Sequence, residues 1–112
     1  MTPYTVCYHQ DGILVVNKPV GIPSQPSPNY KTDLYTALRQ KFSYVGMHHR
    51  LDTPTSGLLL LTTDKNHNSA IAEQLRNRDI KRIYWAAMLS HPPEAGVWTK
   101  PINGKEAITH YT

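Results

Sequence analysis

His49-Arg50-Leu51-Asp52-Thr53-Pro54-Thr55-Ser56-Gly57 runs directly into Leu58-Leu59-Leu60-Leu61. A charged, turn-rich segment meets a short apolar run, which Gly57 bounds on one side and Thr62-Thr63-Asp64 on the other. An apolar run this short, with turn residues at both ends, reads as a buried strand over residues 57–63 rather than as a helix. Asp52 is therefore expected in a loop at the mouth of a core strand, where a rigid scaffold tends to present catalytic groups. If the segment is extended, Arg50 and Asp52 point to the same face.

The rest of the chain is read outward from there. Residues 1–10 are a short polar-aromatic lead-in closed by a tight turn at Asp11-Gly12. Residues 13–16 form a compact strand. Asn17-Lys18-Pro19-Val20-Gly21 closes it, with Pro19 and Gly21 at the second and fourth positions of a type I turn. Pro23, Pro26 and Pro28 exclude a helix or central strand over residues 22–30, leaving an extended surface loop able to line a substrate groove. A helix is expected over residues 31–42, capped by Thr32 or Asp33, with Leu34, Leu38 and Phe42 as a core-facing stripe.

After the motif strand, Asp64 caps a second helix over residues 65–77. Ala70, Ile71, Gln74, Leu75 and Arg78 define its weak amphipathic face, and Arg76 and Arg78 lie where cations are favoured. Residues 80–89 alternate with large apolar side chains on both faces, as a central strand covered on both sides would. Strands over 97–102 and 105–111 are joined by Asn103-Gly104, a strong two-residue hairpin signal. This order of elements predicts an α+β fold, a mixed, mostly antiparallel sheet with helices packed on it.

A chain of 112 residues makes one domain, 1–112. Twelve Lys and Arg against eight Asp and Glu give a net charge of +4 and a pI near 9.3. That balance suits an RNA partner, because phosphate contacts supply most non-specific nucleic-acid affinity, although many basic proteins bind none. One cysteine, Cys7, excludes an internal disulfide framework and fits a reducing cytosol. No apolar run is long enough to span a bilayer, and Met1-Thr2-Pro3-Tyr4 has no signal pattern, so no membrane association and a cytoplasmic location are expected. His48-His49 has no further ligand at metal spacing, and His91 and His110 are isolated, so no metal site is expected. Neither a phosphate-cradling Gly loop nor a dinucleotide fingerprint is present, and no cofactor is implied.

His49-Arg50-Leu51-Asp52, two variable residues, Thr55-Ser56-Gly57 and the leucine run together resemble the signature of the RluA-type RNA pseudouridine synthases. Four flanking stretches agree in order. They are Leu14 to Pro23 with its Lys-Pro-x-Gly turn, Asp64-Lys65 before a helix, Arg82-Ile83-Tyr84-Trp85-Ala86, and Gly104-Lys105-Glu106-Ala107 with Thr109-His110-Tyr111. Arg82 stands where the family has Lys. The resemblance implies the same α+β architecture, a partial pseudouridine-synthase-like catalytic domain. The family pattern continues with a Gly-Arg-x-His-Gln-like segment that the chain lacks, so the expectation is an N-terminal portion truncated at its C-terminal end. No separate N-terminal RNA-binding domain is expected, since the catalytic-type strand begins by Ile13.

The implied reaction isomerises a uridine in ribosomal or transfer RNA. The N1–C1′ bond breaks, the base turns over, and C5 bonds to C1′. Asp52 is implied as the catalytic carboxylate, attacking or stabilising C1′ or removing the 2′ proton. Arg50 is implied beside the flipped nucleotide; its other uses are to pair with Asp52, contact a phosphate or bind a backbone carbonyl. Tyr84 is implied against the target base and in proton transfer, the alternative being a core tyrosine. Lys18 is either a solvated turn residue or one facing the RNA backbone or the cleft, and Arg82 contributes to RNA binding. His49, Leu51, Thr55, Ser56 and Gly57 are read as loop support, with Gly57 allowing positive φ or close backbone approach. Ser56 lacks the flanks of a nucleophile elbow. The rival reading is a catalytically incompetent RNA-binding fragment or paralogue. A glycoside-type hydrolase pairing Asp52 with Glu73, Glu94 or Glu106 ranks last, because nothing places a second carboxylate beside Asp52.

Overall fold

Asp11 and Gly12 both take positive φ, 53° and 78°, the pair of left-handed residues that a two-residue I′ hairpin turn requires. They join β1 (Thr5–Gln10) to β2 (Ile13–Lys18), paired antiparallel from Gln10↔Ile13 to Thr5↔Asn17. The computed structural model describes residues 4–112; the reading of the N-terminus as free of a signal pattern falls partly on residues 1–3, outside them. The strand β1 lies within the polar-aromatic stretch for which the sequence reading named no element. All six of its residues are exposed, so no apolar alternation marks it. A register break between Val6 and Tyr8 disturbs this edge strand, a common way to discourage edge-to-edge pairing.

The other edge of β2 pairs antiparallel with β4 (Gly57–Thr62), from Ile13↔Thr62 to Lys18↔Gly57. The short β3 (Gly46–Met47) pairs with the far edge of β4, giving the order β1-β2-β4-β3 with every pairing antiparallel. The leucine run is thus an interior strand whose residues alternate in burial. Leu59 and Leu61 are fully buried, whereas Leu58 is 61% exposed.

Against the covered face lies α1 (Leu34–Lys41), whose Leu34 and Leu38 join Leu14, Val16, Val45, Leu51, Leu59 and Leu61 in one apolar cluster. Burying each such side chain contributes roughly 1.5–3 kcal/mol, which fixes the helix on the sheet. The helix starts at Leu34 rather than at residue 31 because Asp33 is extended and its carboxylate accepts the Thr36 N–H at 2.8 Å. The turn after β2 also differs from expectation. Val20 and Gly21 are its turn residues, and Gly21 has φ 91°.

The second helical segment is divided. A 3₁₀ turn, Lys65–His67, precedes α2 (Asn68–Arg76), and Asp64 accepts the Asn66 N–H at 2.9 Å. Of its expected face only Ile71 is buried. A polar cluster ties α2 to the sheet: Thr62 Oγ1 donates to Asn68 Oδ1 at 2.6 Å, His48 Nε2 lies 3.1 Å from Thr62 Oγ1, and Asn68 Nδ2 donates to the Tyr44 hydroxyl.

Two compact units divide the chain after Lys81. In the second, β5 (Gly96–Trp98) pairs antiparallel with β6 (Thr109–Tyr111). Their connection turns at Asn103 and Gly104, φ 51° and 75°, and Ile102 and Lys105 exchange both backbone hydrogen bonds at 2.9 and 3.0 Å. The ladder is shorter than the expected 97–102 and 105–111, and Pro101, which has no N–H to give, lies in the gap. Trp98 and Tyr111 stack at 4.1 Å between ring centroids. The central strand expected over residues 80–89 is not formed. Trp85 is 99% exposed, and no residue of the stretch joins a ladder with the described strands. Alternation alone makes no strand where backbone partners are lacking.

Candidate functional site

Leu51 turns its side chain into the core, and the alternation of an extended segment sends Arg50 and Asp52 the other way. Both line a cavity of about 310 Å³, near the lower end of the ~300–1,000 Å³ typical of ligand sites. One wall is the motif loop, Arg50 to Thr53. The other is the proline-rich loop, Pro23 to Pro28. Of the loop expected over residues 22–30, Pro23 to Pro28 line this cavity, and Pro23 and Ser24 are buried rather than on the surface.

Side chains and backbone groups pin the motif loop from several directions. Ser24 Oγ donates to the Leu51 carbonyl at 2.6 Å and accepts the Leu51 N–H at 3.0 Å. The Gly21 N–H donates to the Thr53 carbonyl at 2.9 Å. Thr55 closes a turn by donating its N–H to the Asp52 carbonyl at 2.9 Å. His49 Nε2 accepts the Leu60 N–H at 3.0 Å, tying the loop's first residue to β4. Gly57 begins β4 at φ 139°, a conformation open to glycine. A Cβ there would meet Leu51 only at an ordinary 3.8 Å, so the backbone angle is what selects glycine. Ser56 is exposed at the start of the strand.

Lys18 is the structure's main correction among the basic residues. It is neither a solvated turn residue nor a contact to the RNA backbone, because it is fully buried. Its three ammonium protons meet three carbonyls, of Ile22 at 2.7 Å, Pro19 at 2.9 Å and Thr53 at 3.4 Å. Burial pushes its pKa below the ordinary 10.5, and the Asp52 carboxylate opposes that shift. Lys18 thus places a positive charge under the loop that carries Asp52, and binds that loop through Thr53.

The structure brings Lys18, His49, Arg50, Leu51, Asp52, Thr55 and Gly57 into one assembly. Arg82 and Tyr84 lie in the second unit, both exposed and off any strand. Ser24, whose hydroxyl holds both backbone groups of Leu51, is a loop-fixing residue that sequence reasoning missed. A serine in a proline-rich loop carries no signal of a backbone clamp 27 positions away. Among the described residues no group of three or more His, Cys, Asp or Glu is placed to hold a metal ion, and no helix is long and apolar enough to cross a membrane.

Comparison with known proteins identifies the family and the fold. A family model described as RNA pseudouridylate synthase matches residues 12–112. The dual-specificity RNA pseudouridine synthase RluA of Haemophilus ducreyi is 30% identical, over 93% of this chain and 56% of that protein. Human mitochondrial pseudouridylate synthase RPUSD4 is 36% identical, over 88% of this chain and 29% of that protein. The solved structure of human RNA pseudouridylate synthase domain containing 4 matches with a TM-score of 0.69 at 22% identity, covering 96% of this chain and 48% of that one. That likeness supports the α+β fold. The chain spans between 29% and 56% of the length of these relatives.

Proposed function

The chain belongs to the RNA pseudouridylate synthase family, and from that premise we propose that it carries the catalytic aspartate of an RNA pseudouridine synthase acting on structured ribosomal or transfer RNA. The observation that carries the reading is the placement of Asp52. It is exposed on a loop fixed by Ser24 at Leu51 and by the Gly21 N–H at Thr53, with the buried Lys18 charge beneath, and it lines a cavity together with Arg50.

The chemistry follows from that placement. Uridine to pseudouridine is an isomerisation, so no atom is gained or lost overall. The N1–C1′ bond breaks, a C5–C1′ bond forms, C5 gives its hydrogen to solvent and N1 takes one up. The ribose passes through an electron-poor state at C1′. A carboxylate held at that carbon attacks it or stabilises its charge. The target uridine must leave its stack to reach such a cavity. Arg50, exposed beside Asp52, is the group positioned to meet the displaced nucleotide or its phosphate. Lys18 acts from beneath the loop rather than on the RNA. Tyr84 and Arg82 are assigned to the base and to RNA binding by family resemblance alone. Residues 1–112 are taken as part of one catalytic domain, working in the cytoplasm.

A second reading, an RNA-binding fragment without turnover, is favoured by the lack of a ladder over residues 80–89 among the described residues. To separate the two, bulk RNA is incubated with the chain, digested to nucleosides and chromatographed. Pseudouridine in excess of an untreated control supports the synthase. RNA retention without new pseudouridine supports the fragment.

A further inference from the structure

We propose that Ser24 is a positioning residue for Asp52, its hydroxyl carrying the fixed geometry of α1 into the loop that presents the carboxylate. The inference rests on the synthase reading for what Asp52 does, but not for how the loop is held.

Ser24 is 3% exposed, and its hydroxyl is used in both directions. The O–H donates to the Leu51 carbonyl at 2.6 Å, and the oxygen accepts the Leu51 N–H at 3.0 Å. One side chain therefore satisfies both backbone polar groups of a single residue, as a neighbouring strand does in a sheet. That residue lies between Arg50 and Asp52, with its own side chain in the core. Fixing both of its peptide groups fixes the direction in which the two flanking side chains leave the backbone.

The other end of Ser24 is equally tied. Its carbonyl accepts the Tyr35 N–H at 3.0 Å, and the Pro23 carbonyl accepts the Leu34 N–H at 3.0 Å. These are N–H groups of the first turn of α1, which have no acceptor within their own helix. Asp33 takes a third, from Thr36. The helix is anchored in turn by Leu34 and Leu38, both fully buried. A line of hydrogen bonds thus runs from a packed helix, through one serine, to the peptide adjoining Asp52. The bland role for Ser24 is to satisfy buried polar groups and contribute stability only.

The test uses the full chain with Ser24→Ala and Ser24→Thr, well below each melting temperature. In Ser24→Ala, the Leu51 amide is expected to exchange at least about tenfold faster, while the Tyr35 amide, whose acceptor is backbone, keeps its rate. Pseudouridine formation at saturating RNA falls about 10- to 100-fold, with KM for RNA within about twofold, because displacement of the carboxylate harms the chemical step rather than binding. Ser24→Thr keeps a hydroxyl and restores both readouts; if it does not fold, Ser24→Ala decides alone. Unchanged Leu51 exchange overturns the proposal. So does faster Leu51 exchange with undiminished turnover, or a change in KM alone. If the parent chain makes no pseudouridine, the synthase reading of this chain fails separately. The clamp is then judged by the Asp52 amide resonance, which must move in Ser24→Ala, and an unmoved resonance overturns it.

Discussion

Replacing Lys18 with methionine removes the charge while keeping the length and bulk of the side chain. Two of the three carbonyls that Lys18 serves are at good distance, Ile22 at 2.7 Å and Pro19 at 2.9 Å, while Thr53 at 3.4 Å is marginal. Stranding a buried acceptor costs roughly 1–3 kcal/mol; Pro19 is exposed and Ile22 only half-buried, so water replaces part of the loss and the two good bonds put about 1–4 kcal/mol at stake. Part is recovered, because an ammonium no longer has to be kept out of water, a penalty of several kcal/mol per ion before compensation. The net expectation for Lys18→Met is a loss of about 1–2 kcal/mol. For a chain of this size, about 4 °C per kcal/mol gives a fall in Tm of about 4–8 °C at pH 7.

Circular dichroism melts measure it directly, and pH provides a second handle. Because burial lowers the Lys18 pKa in the folded state, the unfolded chain binds more protons below pH 10.5. Lysine therefore makes the folded state gain stability as pH rises toward 10.5, and the gap between wild type and Lys18→Met should widen as pH approaches 10.5. A Tm within about 3 °C of wild type at pH 7 would refute the reasoning that these carbonyls depend on Lys18.

Burial holds the His48 imidazole below its ordinary 6.5, against the opposing hydrogen bond to Asn68. Its stabilising contribution is therefore complete above pH 6.5 and is lost as pH falls through 6.5 toward the folded value. Wild type should lose more Tm than His48→Gln between pH 7.5 and 5.5, and equal losses would contradict this. In Gly46→Ala, the new methyl would fall on Thr62 Oγ1 and within 2.8 Å of Asn68 Oδ1. Overpacking of that kind costs about 1–3 kcal/mol, readable as a lower urea midpoint with unchanged slope. His49→Leu removes the acceptor of the Leu60 N–H and should speed exchange of that amide, whereas His49→Gln, with a carbonyl at similar reach, should protect it. Equal exchange in the two variants would show that the ring nitrogen is not what holds Leu60.

Much of the site was legible because short-range rules governed it. The run from Leu58 to Leu61 sits inside the sheet, Gly57 takes positive φ, and Arg50 and Asp52 flank an inward Leu51 as period-2 alternation requires. The burial of Lys18 was legible in part. Had β2 been extended two residues past the apolar run, the same alternation would have put Lys18 on the face of Leu14 and Val16. The strand β1 was hidden because its exposure pattern has no period, although Asp11-Gly12 announced the hairpin. The role of Ser24 was not legible, since it depends on a contact 27 positions away. Residues 80–89 show the converse limit. Their alternation is that of a strand, but pairing depends on partners that a local pattern does not supply.

The account turns on Asp52, and tritium release tests it most directly. RNA labelled at uridine C5 must give up its label when C5 bonds to C1′, so release counts turnovers. The account predicts release by the chain and release at least about 10³-fold slower with Asp52→Asn, which keeps the shape of the side chain and removes the carboxylate. Release by Asp52→Asn at the rate of the parent chain would contradict the account, because a loop built to hold that carboxylate would then be holding it for something other than this reaction.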